Sequence, residues 1–368
     1  MLTRLYLDNF RCFVNFEYRP ERKELIMGGN GTGKSSLMDA WLILRQFAVV
    51  GRPFEDADIL LQRTRWMEQE RQTCEVEATL AHGTYTYKLV LDGWGEPLRP
   101  RVVEESVTLD AKPIFEFTDG EVRLYNDQFE QKVKYPFDWH RSALATIIPR
   151  RENQKLTTFQ RWFANVLCFR IDPRVITSKS DGEQLFPTVN LSNFAAWYRH
   201  LQQANPEQNE AFRDDLRAAL DGFRYLRSDA AGQNVRLWSA EFIAPGTGPG
   251  RYLLEELSDG QRCLMCLYAI LRFVIAAGGT VLLDEPDNFI TLRELQPWLA
   301  AVEDAIQEHR AQVLILSHHP EFLNQWAPEY GSVFTRDQGG AVRVERFHAP
   351  QGTVLSPAEL VSRGWERQ

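Results

Sequence analysis

Residues 28–35 read Gly-Gly-Asn-Gly-Thr-Gly-Lys-Ser, which fits the phosphate-binding pattern of a glycine, four residues, then Gly-Lys-Ser or Gly-Lys-Thr. The glycines allow a tight turn whose backbone N–H groups cradle phosphate oxygens. Lys34 is expected to reach the β- and γ-phosphates, and the Ser35 hydroxyl is expected to bind Mg²⁺. The predicted nucleotide-binding residues of this loop are Gly28, Asn30, Gly31, Gly33, Lys34, Ser35 and Ser36.

The sequence on either side of the octet has the periodicity that such a loop requires. The apolar run 25–27 predicts a short buried strand, and Leu37, Trp41 and Leu44 fall on one face of a helix that follows. A strand, a glycine loop and a helix in this order favour a nucleotide-binding loop over an ordinary glycine-rich turn.

Two carboxylates follow a second apolar run, Thr-Val-Leu-Leu-Asp-Glu-Pro, at residues 280–286. Asp284 at the strand end is expected to bind Mg²⁺, and Glu285 to polarise the water that attacks the γ-phosphate. In isolation such a pair is also typical of a solvated strand end, but the upstream loop favours the catalytic interpretation. The sequence therefore predicts an ATP- and Mg²⁺-dependent hydrolase.

Two further stretches are candidates for contact with the γ-phosphate. Ser258, with Gln261 three residues later, fits a capping box, and a helix N-terminus with a free serine hydroxyl and exposed N–H groups also binds anions. Residues 313–320 read Val-Leu-Ile-Leu-Ser-His-His-Pro, so a buried strand is predicted to end at Ser317-His318. A lone histidine there is more often structural, but the order of the motifs favours a catalytic role for His318.

The stretch Leu257-Ser-Asp-Gly-Gln261 resembles the signature motif of ABC-type ATPases, with Asp259 in place of the usual first glycine. The resemblance implies that this motif closes over ATP bound to a second subunit, so that hydrolysis requires a homodimer or a higher oligomer built from it. The residues that would act in this way are Ser258, Gly260 and Gln261. It also implies that His318 is the switch histidine and that Asp287-Asn288 belong to a loop at the dimer interface.

The opening Asp8-Asn-Phe-Arg-Cys-Phe13 is similar to the start of RecF-, SMC- and OLD-like (overcoming-lysogenization-defect) proteins, which implies that Arg11 faces the nucleotide. The chain is identified as a member of the compact RecF/OLD-like group (the AAA15/AAA21 type), which is related to SMC heads but has no coiled coil. The resemblance implies an α/β fold: an ABC-type P-loop NTPase head with a mixed or parallel core sheet, an antiparallel β lobe and an inserted helical arm.

Three segments are predicted on this basis: an N-terminal ATPase lobe (1–130), an inserted helical and basic arm (131–230) and a C-terminal ATPase lobe (231–368). Alternating apolar residues predict antiparallel strands over 74–80, 85–91, 102–109, 112–118 and 121–125. Two helices are predicted over 194–204 and 207–221, the first with Asn193 as its N-cap. Gln72 is a weak candidate for the Q-loop.

Composition limits the kinds of protein to which the chain can belong. The net charge of −8 excludes a uniformly basic surface. Five cysteines and a start without the shape of a signal peptide favour the cytoplasm. The apolar stretch 264–283 is interrupted by Arg272 and by Gly278-Gly279, which predicts a helix and a strand and no membrane span. Cys263 and Cys266 predict a buried helix face in preference to a metal or redox site.

Residues 132–179 carry ten lysines and arginines against three acidic residues. Aromatic residues are interleaved with them, among them Trp139, Phe159, Trp162 and Phe163. The segment is therefore a candidate for contact with DNA or RNA. The alternative is that its charges are solvated or pair with acidic neighbours.

The resemblance also implies a biological role, because members of this group often work in phage defence beside a nuclease or toxin. The hypothesis is an ATP-gated dimer that senses nucleic acid or a phage product and controls a separate effector protein. The alternative is a stand-alone recombination or repair ATPase. About 50 residues follow His319, so no nuclease domain is expected in the chain itself.

Overall fold

The computed structural model describes residues 1–53, 62–92, 101–243, 246, 248–350 and 353–364. It consists of two compact units. Unit 1 contains Met1–Val166 and Glu329–His348, and unit 2 contains Leu167–Pro328 and Ala349–Trp365. The division into three segments that the sequence suggests remains a prediction.

The described strands are β1 (Leu2–Asp8), β2 (Phe16–Tyr18), β3 (Lys23–Met27), β4 (Gln72–Leu80), β5 (Gly83–Asp92), β6 (Arg101–Leu109), β7 (Lys112–Thr118), β8 (Glu121–Tyr125), β9 (Gln131–Pro136), β10 (Val166–Phe169), β11 (Lys179–Ser180), β12 (Phe223–Ala230), β13 (Arg236–Ile243), β14 (Pro249–Leu253), β15 (Thr280–Asp284), β16 (Gln312–Leu316), β17 (Gly331–Arg336) and β18 (Val342–Arg346). The described α-helices are α1 (Lys34–Arg45), α2 (Gln154–Asn165), α3 (Phe194–Ala204), α4 (Pro206–Ala219), α5 (Asp259–Ile270), α6 (Leu292–His309), α7 (Pro320–Tyr330) and α8 (Pro357–Ser362).

Unit 1 contains an antiparallel sheet with the strand order β2-β1-β4-β5-β6-β7-β8-β9. The five strands predicted from alternation are present as β4 to β8, and their bounds agree within two residues. β9 extends the sheet by one more strand, which the sequence analysis had assigned to the basic arm. In β9, Lys132 and Lys134 alternate with Val133 and Tyr135, and both lysines are exposed, as is common on an edge strand.

An aromatic cluster holds α2 against this sheet and against α1. The Phe163 ring lies 4.9 Å from Trp41 and 5.5 Å from Tyr87, measured between ring centroids. Phe159 and Phe163 are both fully buried. These two aromatic residues of the basic segment therefore pack in the core of unit 1 and cannot stack on nucleic-acid bases.

Unit 1 also contains the strand that leads into the glycine loop. β3 pairs in parallel with β17, and β17 pairs antiparallel with β18, so the pairing is mixed. Buried Glu24 on β3 accepts hydrogen bonds from Ser332 on β17 and from Arg346 on β18. Burial raises the pKa of Glu24, although these donors oppose the shift.

Unit 2 contains the parallel pair β15 and β16, in which Asp284 lies opposite Leu316. β10 is the neighbour of β15 on its other side. Both β15 and β16 are buried along their whole length, which explains their continuous apolar sequences. A separate antiparallel sheet of β11, β12, β13 and β14 also belongs to this unit and is not among the predicted elements.

The two predicted helices of unit 2 are present as α3 and α4. Asn193 precedes α3, but its side chain does not cap the helix. Its Nδ2 donates to the Phe186 carbonyl, and its Oδ1 accepts from Thr188. The predicted N-cap position is therefore confirmed, but without a side-chain hydrogen bond to the helix, because a nearby loop uses the same amide. Within the described part of the chain, no helix is both long and apolar enough to cross a membrane.

Candidate active site

The glycine loop of unit 1 adopts a backbone that requires glycine. Gly28, Gly31 and Gly33 have φ angles of 143°, 78° and 99°, in the region that L-residues rarely adopt. At Gly28 a Cβ atom would overlap the Phe334 carbonyl oxygen of β17. The loop therefore lies directly against β17 and leaves its other side to a ligand.

α1 begins at the end of this loop. Its N-cap is Gly33, so no side chain covers the first N–H groups, and its first turn contains no acidic residue. These are the features of an anion site at a helix N-terminus. Lys34 is buried, and its Nζ donates to the carbonyls of Gly28 at 2.6 Å and Gly29 at 3.1 Å. The ammonium group is thus held directly over the loop.

The remaining predicted residues of unit 1 lie close to this helix start. Asn30 and Gly31 form the exposed tip of the loop, Ser35 is exposed and Ser36 is half-buried. Arg11, which has a φ of 48°, forms an ion pair with Asp39 of α1. A guanidinium nitrogen of Arg11 also lies 3.5 Å from the Ser36 hydroxyl.

Gln72, the weak Q-loop candidate, is buried at the start of β4. It donates through Nε2 to the Asn9 carbonyl. This contact anchors the segment around Asn9.

In unit 2, Asp284 is the last residue of β15 and is only 7% exposed. Its Oδ2 accepts a hydrogen bond from Arg170 Nε at 2.8 Å. Removing a carboxylate from water is costly without a compensating positive charge. Arg170 provides that charge.

Glu285 follows in a left-handed conformation with a φ of 46°, which is strained for a residue with a long side chain. The conformation is fixed by the Glu285 N–H, which donates to the Leu316 carbonyl at 2.8 Å. The carboxylate is exposed, and its Oε2 accepts from Asn288 Nδ2 at 2.9 Å. Backbone strain at the predicted catalytic residue is a feature common at functional sites.

The loop after β15 and the loop after β16 are joined by side chains. The Ser317 hydroxyl donates to Asp287 Oδ1 at 2.7 Å and accepts from the His319 N–H at 2.9 Å. His319 Nδ1 in turn accepts from the Glu321 N–H. His318, which stands between Ser317 and His319 in the sequence, is half-buried.

The signature-like stretch forms the start of α5. Ser258 Oγ accepts from the Gln261 N–H at 3.2 Å, and Gln261 Oε1 accepts from the Ser258 N–H at 3.0 Å. The predicted capping box is therefore confirmed, but the expected free hydroxyl is wrong because the cap occupies it. At Gly260 a Cβ atom would lie 2.9 Å from the Phe289 carbonyl oxygen, so this glycine allows α5 to approach the loop after β15.

By residue type, the groups of each unit suit part of a magnesium-bound nucleotide. The loop of unit 1 has φ angles that favour glycine, and the uncapped start of α1 suits phosphate. Ser35 and Asp284 provide a hydroxyl and a carboxylate, which are the oxygen ligands that Mg²⁺ prefers.

Another prediction concerns two cysteines that are close in the sequence. Cys263 and Cys266 are buried on α5, which confirms the buried helix face. Burial raises the pKa of the Cys263 thiol to about 12, so the thiol stays protonated and unreactive.

Half of the cations in the basic segment are neutralised by neighbouring acidic residues. Five of its ten cations form ion pairs within their own unit: Lys132, Lys134, Arg170, Arg174 and Lys179. Four exposed arginines have no ion pair among the described residues: Arg141, Arg150, Arg151 and Arg161. The alternative, in which the cations of the segment pair with acidic neighbours, thus holds for half of these cations.

Comparison with known proteins places these motifs in a family. The family model described as "AAA domain, putative AbiEii toxin, Type IV TA system" matches residues 25–324. The chain belongs to this family. The identification with the AAA21 type that was drawn from the motifs is thereby confirmed.

Other comparisons add less. No curated protein matches the chain. Among solved structures, the SMC head domain from Thermotoga maritima matches with a TM-score of 0.48 and 14% identity, over 95% of this chain and 99% of that chain.

Two contacts beside the predicted catalytic residues were not expected from the sequence. Arg170 and Asp284 are 114 residues apart, and no local pattern marks Arg170 among the cations of its segment. Ser317 was read as the end of a strand, although a hydroxyl next to the predicted switch histidine was a usable signal.

Proposed function

We propose that the protein is a Mg²⁺-dependent ATPase that dimerises around ATP and uses the dimer to control a separate effector protein. The observation that carries the proposal is the glycine loop, because its three left-handed glycines, its buried lysine and its uncapped helix start suit a triphosphate. Family membership supports ATPase chemistry in general.

Within the proposed site, Lys34 binds the β- and γ-phosphates, and the N–H groups at the start of α1 bind phosphate oxygens. Ser35 and Asp284 would hold the metal, which when bound neutralises phosphate charge. Glu285 takes a proton from the attacking water, and His318 donates a hydrogen bond to the γ-phosphate.

The dimer part of the proposal is supported by the start of α5. Ser258 is exposed, and Gln261 and Gly260 lie in the first turn of α5, where N–H groups attract anions. We assign these three residues to the γ-phosphate held by a second copy. Because the Ser258 hydroxyl already caps α5, the N–H groups of the first turn contribute more to this contact than the hydroxyl does.

Control of a separate effector in phage defence is what the resemblance to the RecF/OLD-like group implies. The family description itself names a putative toxin of a type IV toxin–antitoxin system. Contact with DNA or RNA is assigned to Arg150 and Arg151, which are exposed and form no ion pair with any residue that the structure describes. A housekeeping recombination ATPase is not favoured by any contact described above.

The test compares wild type, Lys34→Ala and Glu285→Gln by multi-angle light scattering with Mg²⁺ and ATP. Glu285→Gln should accumulate a stable ATP-bound dimer, since it removes the base and keeps the phosphate contacts. Lys34→Ala should stay monomeric and lose nucleotide binding by titration calorimetry. Unchanged ATP affinity in Lys34→Ala, or a Glu285→Gln protein that is monomeric with bound ATP, would refute the proposal.

A further inference from the structure

Arg170 occupies one oxygen of the carboxylate that is proposed to bind Mg²⁺. Its Nε lies 2.8 Å from Asp284 Oδ2, and the side chains of Arg170 and Asp284 are 49% and 7% exposed. Arg170 directly follows β10, and Asp284 ends the neighbouring strand β15. The ion pair therefore joins the ends of two adjacent strands.

The carboxylate of Asp284 is both the partner of Arg170 and the proposed ligand of Mg²⁺. A buried carboxylate needs a positive charge beside it, and Arg170 provides one. A divalent ion at Asp284 would provide the same compensation, but it would be repelled by a guanidinium group that stayed in place. Binding of the metal and pairing with Arg170 thus oppose each other.

Resting on the proposed function, we propose that Arg170 is a positioning residue that competes with Mg²⁺ for Asp284. Arg170 holds the carboxylate at the end of β15 and releases it when the metal binds. Its charge thereby sets the Mg²⁺ concentration at which the protein binds Mg²⁺–nucleotide. Nothing in this role requires Arg170 to touch the nucleotide.

Arg174 provides a matched control. It lies four residues further along and forms a similar ion pair at 2.9 Å, but with Asp172, and its side chain is 67% exposed. Asp172 is not a proposed metal ligand. Replacing Arg174 therefore removes an equal charge from the same segment without freeing Asp284.

The experiment measures binding of a fluorescent ATP analogue to the full chain by anisotropy, first in EDTA and then across a Mg²⁺ titration. The proteins are wild type, Arg170→Gln, Arg170→Lys and Arg174→Gln, with circular dichroism melting curves to verify folding. In Arg170→Gln the half-saturating Mg²⁺ concentration should fall roughly tenfold, because one repelling charge is gone. Arg170→Lys and Arg174→Gln should remain near wild type, and all four should bind equally in EDTA.

Two results would overturn the inference alone. If Arg170→Gln needs as much Mg²⁺ as wild type, or more, the ion pair is a structural link between β10 and β15. If Arg170→Gln loses affinity in EDTA, Arg170 binds phosphate directly. Failure of the proposed function gives a different result, since wild type would then not bind the analogue even at saturating Mg²⁺.

Discussion

Replacement of Glu105 by glutamine should change how the stability of unit 1 depends on pH. Glu105 on β6 is fully buried. Its carboxylate accepts hydrogen bonds from the Tyr87 hydroxyl, the Ser142 hydroxyl, and the N–H groups of Ala143 and Leu144. It therefore anchors the turn that follows β9 to the antiparallel sheet.

Burial raises the pKa of Glu105 from 4.5 to about 7, although the four hydrogen bonds oppose the shift. The folded protein thus retains a proton that the unfolded chain releases between these two pH values. The contribution of Glu105 to the free energy of unfolding is accordingly largest below pH 4.5, and this contribution is lost as the pH rises to 7. A difference of 7 − 4.5 = 2.5 pKa units corresponds to about 3 kcal/mol.

Glutamine has the shape of the protonated acid and cannot ionise. Glu105→Gln should therefore match wild type at pH 5 and exceed it by about 3 kcal/mol at pH 8. Urea unfolding at both pH values measures this, with an expected midpoint increase on the order of 1 M at pH 8.

Glu104 supplies the control for this experiment. It is the preceding residue of β6 and pairs with Lys88 at 2.8 Å, with its side chain 33% exposed. Glu104→Gln should leave the pH dependence of wild type intact. The reasoning is refuted if Glu105→Gln and wild type differ by the same amount at pH 5 and pH 8.

Further predictions concern the glycine loop and the basic segment. Gly28→Ala should abolish nucleotide binding and lower the free energy of unfolding by about 2–4 kcal/mol, because a Cβ would overlap the Phe334 carbonyl in a strained conformation. At Gly31 a Cβ meets nothing within 4 Å, so Gly31→Ala should lower the free energy of unfolding by only about 1 kcal/mol. If both alanine variants lose equal nucleotide affinity by calorimetry and equal stability in urea, the overlap with Phe334 does not have the role given to it. Joint Arg150→Glu and Arg151→Glu substitution should abolish salt-sensitive binding of a labelled single-stranded oligonucleotide; unchanged binding, or none by wild type at low salt, removes these arginines from the proposal.

Much of the antiparallel sheet could be predicted from the sequence because its signals are local. β4 and β5 alternate around His82-Gly83, and Gly83 has a φ of 134° that suits a tight hairpin. The glycine loop and the two buried strands of unit 2 were also visible, since their apolar runs end at polar residues. Such patterns depend on neighbours within a few residues.

The remaining features depend on partners that are distant in the chain. Asn193 has the composition of an N-cap, but Phe186 and Thr188 compete for its amide. Phe159 and Phe163 look like an aromatic surface among cations, yet their burial depends on Trp41 and Tyr87. Residue type alone does not indicate which of two competing partners a side chain meets.

The pairing of β3 with β17 has a practical consequence for fragment design. The family match ends at residue 324, before β17 begins at Gly331. A fragment trimmed to that boundary would leave the edge of β3 bare and would deprive Glu24 of both Ser332 and Arg346. Unprotected strand edges promote self-association, so such a fragment should precipitate on expression. Failure of that fragment to bind nucleotide would therefore say nothing about nucleotide binding by the intact protein.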